Sequence, residues 1–100
     1  MTAPMGTPWG ASQSVTAFGA EGLLRVDTAS HGGFFVPAAL LHRIPADHRL
    51  WAESWSGSEQ WYEEDCCWAA VAAAWPDLFD AETLALALNI IAHRRNRRAA

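Results

Sequence analysis

The chain has 100 residues and a formal net charge of −4, with 51% hydrophobic and 18% charged residues. This length allows one domain with one modest core, and the composition excludes an intrinsically disordered chain. The N-terminus has neither the basic start nor the apolar run of a secretory signal, and no segment reaches the roughly 18 apolar residues of a membrane span. We therefore expect a cytoplasmic protein of the host cell, without membrane contact.

The charged residues are distributed unevenly along the chain. All seven basic residues are arginines, and four of them lie in the last seven positions, while nine of the eleven acidic residues lie between residues 45 and 85. Such an excess of negative charge repels nucleic acid and favours basic protein surfaces. Cys66 and Cys67 are adjacent and cannot link distant elements, so the sequence excludes a disulfide framework and indicates a reducing compartment.

The N-terminal half predicts a leader and three strands. Residues 1–12 contain two prolines and two glycines and are predicted to form an extended leader, which Trp9 fixes to the domain. Polar and apolar residues alternate on both sides of the glycine-containing segment 19–22, which predicts a β-hairpin over residues 15–28. The run Phe-Phe-Val at 34–36 follows two glycines and predicts a third strand.

The next segment predicts a short helix and then an ambiguous region. Pro37 fits the first turn of a helix that ends at Ile44, before the next proline. Trp51 and Trp55 are spaced as on a helix but also fit a strand that includes the residue between them. Residues 46–58 therefore receive no assignment.

The C-terminal part predicts two long helices. One begins near residue 58 and ends at Pro76, because tryptophans recur every seven residues along one stripe. Asp80 is expected to cap the last helix, which an arginine-rich tail over 94–100 follows. These elements make one α+β domain over residues 13–93. Its expected architecture is a three-stranded antiparallel sheet followed by one short and two long helices.

Two groups of residues are candidates for chemistry. The loop Ser-His-Gly-Gly at 30–33 combines a titratable histidine with glycines that let backbone N–H groups approach a ligand. An enzyme would pair this loop with Asp65 or Cys66. Carboxylates beside the cysteines oppose a thiolate, and adjacent cysteines on a helix point about 100° apart, so no catalytic residue, metal ligand or cofactor is assigned. The candidate functional loop consists of His31, Gly32 and Gly33.

Three segments carry a distinctive pattern: TPWG at residues 7–10, TASHGGFFV at 28–36 and WYEEDCCWA at 61–69. In this pattern the chain resembles a bacterial family catalogued as domain of unknown function 7007. The resemblance implies a small protein of plasmids, phages and other mobile elements, where such proteins often counter host defence. It therefore implies an anti-CRISPR or antirestriction inhibitor, and it implies no reaction.

The first hypothesis is a non-enzymatic acidic protein that occupies the basic nucleic-acid-binding surface of a host defence complex, either a CRISPR effector or a nuclease. Acidic and aromatic side chains of the middle third would contact this partner. The predicted contact residues are Asp47, Trp51, Glu53, Trp55, Glu59, Tyr62, Glu63 and Glu64. Two alternatives stay open: an enzyme that uses the 30–33 loop, and a nucleic-acid binder that uses the C-terminal arginines, although the acidic body argues against direct nucleic-acid binding.

Overall fold

The computed structural model describes residues 6–19 and 22–99, with side chains up to Arg94. Within these residues, five antiparallel strands form one sheet in which spatial order follows chain order. The strands are β1 Gly6–Thr7, β2 Gly10–Ala17, β3 Leu24–Thr28, β4 Gly32–Phe35 and β5 Trp61–Glu63. The same residues form three α-helices and two 3₁₀ segments. The helices are α1 Ala46–Ser56, α2 Trp68–Ala74 and α3 Ala81–Ala99, and the 3₁₀ segments are Ala38–Arg43 and Pro76–Leu78.

The prediction of a three-stranded sheet is wrong, because two further strands lie at its edges. β1 has two residues and β5 has three, and segments this short cannot display the alternation that identifies a strand. The helix predicted from residue 58 is wrong in its first half. Trp61, Trp68 and Trp75 are spaced as on a helix, but Trp61 lies in β5, and α2 begins only at Trp68. One antiparallel sheet combined with helices is still an α+β fold.

Other elements agree with the sequence pattern. Val15 pairs with Val26 across the β2–β3 hairpin, whose predicted turn includes residues 20–21, which lie outside the described residues. Asp80 Oδ1 accepts a hydrogen bond from the Thr83 backbone N–H at 2.7 Å, which caps α3 as predicted. The segment that received no assignment forms α1.

Both ends of the chain contribute regular structure. Residues 6–7 and 10–12, in the segment predicted as a leader, pair in the sheet. α3 continues as far as Ala99, through most of the segment predicted as an arginine-rich tail. Among the helices that the structure describes, none combines the length and the apolar character that crossing a bilayer requires.

The buried core lies on one face of the sheet, between the strands and the helices. Phe34 in β4 lies opposite Tyr62 in β5, and both side chains belong to the buried cluster that α2 and α3 cover. α2 supplies four consecutive fully buried residues, 69–72, and its small alanines let α3 and the sheet approach closely. Because side chains alternate along a strand, Gly33 and Glu63 point to the opposite, outer face.

Gly33 allows three segments to meet on that outer face. A Cβ atom at this position would collide with the backbone of Tyr62 and Glu63 and with the indole of Trp9. The absence of a side chain therefore lets β5 and Trp9 lie directly against β4. Backbone atoms cannot rotate away from a larger residue, so a substitution here would have to displace β5 itself.

Gly33→Ala is expected to lower the free energy of unfolding by roughly 2–3 kcal/mol, because overpacking against backbone displaces β5. Gly6→Ala is the matched control, since no atom of the described chain lies within 4 Å of the position its Cβ would take. Urea denaturation measures both variants. Equal stability of the two would contradict the close approach at Gly33.

Candidate binding site

The β1–β2 turn places Trp9 over the outer face of the sheet. Thr7 Oγ1 donates a hydrogen bond to the Gly10 carbonyl at 2.6 Å and accepts one from the Trp9 N–H at 3.0 Å, which closes the turn. The Trp9 ring meets the Trp61 ring edge to face, with centroids 5.5 Å apart. The turn therefore holds an indole firmly beside Gly33.

The β3–β4 turn holds His31 at the surface. The Thr28 backbone N–H donates to the His31 carbonyl at 2.7 Å. Thr28 Oγ1 donates to the same carbonyl at 2.8 Å and accepts a hydrogen bond from the His31 N–H at 3.1 Å. One threonine thus orders the turn with both its backbone and its hydroxyl, and the His31 residue remains exposed.

Gly32 makes room for an ion cluster that joins β3 to the residue after β5. Arg25 Nη2 lies 2.8 Å from Asp27 Oδ1 and 3.0 Å from Glu64 Oε2. A Cβ atom at Gly32 would collide with the Asp27 and Arg25 side chains and crowd that of Glu64, and the Gly32 carbonyl accepts a hydrogen bond from the Glu64 N–H at 2.9 Å. One guanidinium therefore pairs with two carboxylates, and both glycines of the candidate loop serve close packing.

The Glu63 carboxylate closes the turn between β5 and α2. Its Oε2 accepts the Asp65 N–H at 2.7 Å, and its Oε1 accepts the N–H groups of Cys66 at 2.9 Å and Cys67 at 3.1 Å and the Cys66 thiol at 3.0 Å. Glu63 is only 5% exposed. Burial opposes its ionisation, but these hydrogen bonds outweigh burial and hold the pKa of Glu63 below its ordinary value.

The two cysteines lie in this turn, so the argument that they diverge on a helix is wrong. Cys67 is the residue that precedes α2, and ligand atoms of Glu63, Cys66 and Cys67 lie within 4.8 Å of one another, as metal ligands would. Burial, and to a lesser extent the adjacent Glu63 carboxylate, raise the pKa of Cys66 to about 12. Burial also raises the pKa of Cys67. Both thiols therefore hold their protons at neutral pH in the metal-free protein, which opposes thiolate catalysis.

The turns around the two glycines line one small pocket. Trp9, His31, Trp55, Glu63 and Asp65 enclose a cavity of about 150 Å³. The residues that line it are two tryptophans, one histidine and two acidic residues. The structure thus brings His31 and Asp65 to one place, as the enzyme hypothesis expects, but it gives Cys66 a position on a different cavity.

Trp55 also lines a second cavity of about 410 Å³ between α1 and α3. Trp55 is 62% exposed, and its side chain is the wall that the two cavities share. The remaining lining residues of the second cavity are Trp51, Cys66, Asn89, Ile90, His93 and Arg94. We refer to the surface formed by Trp55 and the two cavities as the Trp55 surface.

The family model described as Domain of unknown function (DUF7007) matches residues 2–98. The chain belongs to this family. No curated protein and no solved structure matches the chain. In this DUF7007 domain, the segments 7–10, 28–36 and 61–69, which carry the resemblance, each contribute to the wall of the 150 Å³ pocket. The pocket is therefore the place where the three distinctive segments meet.

The DUF7007 structure distributes the predicted aromatic contact residues over different environments. Tyr62 is fully buried, and burial raises the pKa of its hydroxyl. Trp51 is buried beneath Arg94, whose guanidinium carbon lies 4.7 Å from the centroid of the indole ring. Of the three aromatic residues in the predicted contact set, Trp55 alone presents most of its surface to solvent.

The predicted acidic contact residues are divided in the same way. Glu63 is buried in its turn, Glu64 pairs with Arg25, and the Asp47 carboxylate lies 3.8 Å from Arg94 Nη1. Glu53 is exposed and Glu59 is partly exposed, and the structure places neither beside the 150 Å³ pocket. The middle third therefore carries less unbalanced negative charge on its surface than its composition predicts.

Three residues of the site were missed by sequence reasoning. Trp9 was predicted to fix a leader, but Pro and Gly on either side of it indicate a tight turn that presents an aromatic side chain. Arg25 and Asp27 are two apart on a strand, which places them on one face as a potential ion pair. Both signals are present in the sequence. Both are weak, because the residues that Trp9 and Arg25 contact across the site come from distant segments.

Glu63→Gln is expected to lower the free energy of unfolding at neutral pH by roughly 2 kcal/mol, because a neutral amide replaces a charged acceptor of several hydrogen bonds. The pKa of Glu63 is lower in the folded chain than in the unfolded chain. The stability that the ionised Glu63 carboxylate contributes to the fold is therefore complete above its pKa in the unfolded chain. It is lost as the pH falls through its pKa in the folded chain. The difference between wild type and variant should shrink in acid, which urea denaturation at several pH values measures.

Glu53→Gln on the exposed side of α1 is the control for this comparison. It should stay within about 0.5 kcal/mol of the wild type at every pH, as exposed substitutions usually do. A difference between wild type and Glu63→Gln that is the same in acid and at neutral pH would mean that the buried carboxylate is not ionised.

Proposed function

We propose that this protein is a small non-enzymatic binding protein of a phage or another mobile element, and that it inhibits a host defence complex. The target is a CRISPR effector or a nuclease, whose basic nucleic-acid-binding surface the protein occupies. The observation that carries this proposal is the exposed indole of Trp55, which stands between two cavities beside an acidic pocket. The mobile-element setting rests on the family resemblance.

An exposed tryptophan keeps a large apolar ring in contact with water, which is unfavourable unless a binding partner covers the ring. Burying its large ring in an interface contributes strongly to binding, and tryptophan is among the residues that most often dominate interface energetics. Trp55 is 62% exposed, although the other five tryptophans of the chain pack against rings or cations within the fold. Because Trp55 lies at the rim of two cavities, a partner that binds there gains shape complementarity in addition to burying the indole.

The electrostatics of the Trp55 surface suit a basic partner. Glu63 and Asp65 line the pocket beside Trp55, and among the described side chains no arginine or histidine forms an ion pair with either. Asp47 and Glu64, in contrast, each have an arginine nearby. The proposal therefore relies on a small anionic centre next to one aromatic anchor instead of the broad acidic rim that the sequence predicts.

One observation favours an enzyme as a second candidate. His31 lines the same pocket as Glu63 and Asp65, and a histidine beside carboxylates is suited to general acid–base catalysis. The two candidates differ in stoichiometry. A binding inhibitor must be present at one copy per target complex, whereas a catalytic inhibitor inactivates an excess of target, so titration of a purified complex with the protein separates them.

Arg94 is the one C-terminal arginine whose side chain is described. Its contacts do not favour nucleic-acid binding through that segment. The Arg94 guanidinium lies over Trp51, and its Nη2 donates a hydrogen bond to the Asp47 carbonyl at 3.3 Å. These intramolecular contacts compete with a phosphate for the same cation. Arg95, Arg97 and Arg98 lie where the side chains are not described.

Trp55→Ala is expected to weaken binding to the defence complex by roughly 30-fold, which corresponds to about 2 kcal/mol. Its free energy of unfolding should change by no more than about 0.5 kcal/mol, because the side chain is mostly exposed. The measurement is competition between the protein and the nucleic-acid ligand for the purified complex. The result expected for the variant is a higher inhibitory concentration at unchanged stability.

Leu50→Ala is the matched control for this variant. Leu50 is 64% exposed on the same helix as Trp55, but it lines neither of the two cavities at the Trp55 surface. The Leu50→Ala variant should inhibit the defence complex as the wild type does. If the two variants inhibit equally well, the Trp55 surface is not the contact surface.

A further inference from the structure

We propose that the pocket lined by Trp9, His31, Trp55, Glu63 and Asp65 binds the guanidinium group of an arginine side chain. That the arginine belongs to a defence protein rests on the proposed function. The preference of the pocket for a guanidinium group rests on the pocket itself: its size, its two acidic residues and its two tryptophans.

The pocket has the size of a head group. Its volume is about 150 Å³, which is well below the several hundred Å³ of cavities that enclose whole small-molecule ligands. A planar side-chain terminus fits such a space while the rest of its chain stays outside. The second cavity, of about 410 Å³, begins on the other side of Trp55 and leaves room for neighbouring residues of a bound protein.

The walls carry negative charge that the described side chains do not balance. Glu63 is 5% exposed and its oxygens accept hydrogen bonds from the turn, so it contributes a fixed charge to the pocket wall. Asp65 is exposed, and among the described groups its carboxylate appears in no hydrogen bond or ion pair. Asp65 is thus the group that remains available to accept hydrogen bonds from a ligand.

The aromatic walls favour a cation of delocalised charge. A guanidinium stacks on an indole face and forms bidentate hydrogen bonds with a carboxylate, and its weak hydration makes desolvation less costly than for an ammonium. A quaternary ammonium also binds aromatic faces, but it has no N–H group to donate to Asp65. A lysine ammonium donates hydrogen bonds but does not stack. The combination of two indoles with an available carboxylate therefore selects arginine.

The same combination already occurs within this fold, one helical turn earlier on α1. Arg94 lies over Trp51 at 4.7 Å from the ring centroid, and its Nη1 is 3.8 Å from an Asp47 carboxylate oxygen. There an arginine of the chain fills the place between an indole and a carboxylate. At Trp55 and Asp65 the chain offers the indole and the carboxylate, and we infer that another protein supplies the arginine.

The test uses the full-length ¹⁵N-labelled protein and three peptides that differ at one side chain. The probes are acetyl-Gly-X-Gly-amide with X as arginine, as lysine or as citrulline, the neutral isostere of arginine. The arginine peptide should shift the indole N–H signals of Trp9 and Trp55 and the amide of Asp65, with a Kd on the order of 1 mM. The citrulline peptide should bind about tenfold more weakly, since it lacks the charge.

Two substitutions separate the pocket from the remaining acidic surface. Asp65→Asn should weaken arginine binding by about fivefold, because it removes the charge of the available acceptor. Asp77→Asn, at an exposed acid of the second 3₁₀ segment, should leave binding unchanged. Equal affinity for the arginine and citrulline peptides, shifts centred on residues outside the pocket, or no binding of the arginine peptide would each overturn the proposal.

The outcome is distinguishable from that of the proposed function. An arginine peptide that does not bind, together with full inhibition of a defence complex, rejects the pocket and leaves the inhibitor in place. Arginine binding that depends on Asp65, in a protein that inhibits no defence complex, supports the pocket and rejects the inhibitor. The Asp65→Asn variant enters the peptide titration, where its ¹⁵N spectrum shows directly whether it is folded.

Discussion

The buried carboxylate of Glu63 is the constraint on which the rest of the site depends. Its oxygens accept three backbone N–H groups and one thiol, and this set of hydrogen bonds turns the chain from β5 into α2. A charge that is 5% exposed would be costly if it were not satisfied in this way. Because it is satisfied, the fold can keep an anion on the wall of a pocket although none of the described basic side chains forms an ion pair with it.

Close packing at the two glycines places the other segments around that charge. Gly33 lets Trp9 and the backbone of β5 lie against β4, and Gly32 leaves space for the pairing of Arg25 with Glu64. The three consecutive acids after Tyr62 consequently have three different roles. Glu63 closes a turn, Glu64 joins two strands, and Asp65 remains available at the surface beside Trp55. Of these groups, one carboxylate and one indole, those of Asp65 and Trp55, thereby remain accessible to a partner.

Sequence reasoning reached the parts of the fold that local patterns determine. The β2–β3 hairpin follows from alternation, the cap at Asp80 follows from one side chain, and both are present. β5 was missed because three residues cannot display a period, and because Trp61 happens to lie seven residues before Trp68. Acids before a helix normally suggest solvated first-turn residues, so the burial of Glu63 was not foreseeable. The enzyme hypothesis placed His31 near Asp65, but the contribution of Trp9 and Trp55 to the same pocket was missed, because these residues meet there only through the tertiary fold.

The most direct measurement of this account is the pKa of Glu63 in the folded protein, from the pH dependence of its side-chain carboxyl ¹³C chemical shift. Hydrogen bonds from the turn should hold the pKa below the ordinary value for glutamate in spite of burial. A pKa at or above that ordinary value would show that burial dominates. The turn would then hold a neutral acid, and the pocket would lack the fixed negative charge on which arginine recognition depends.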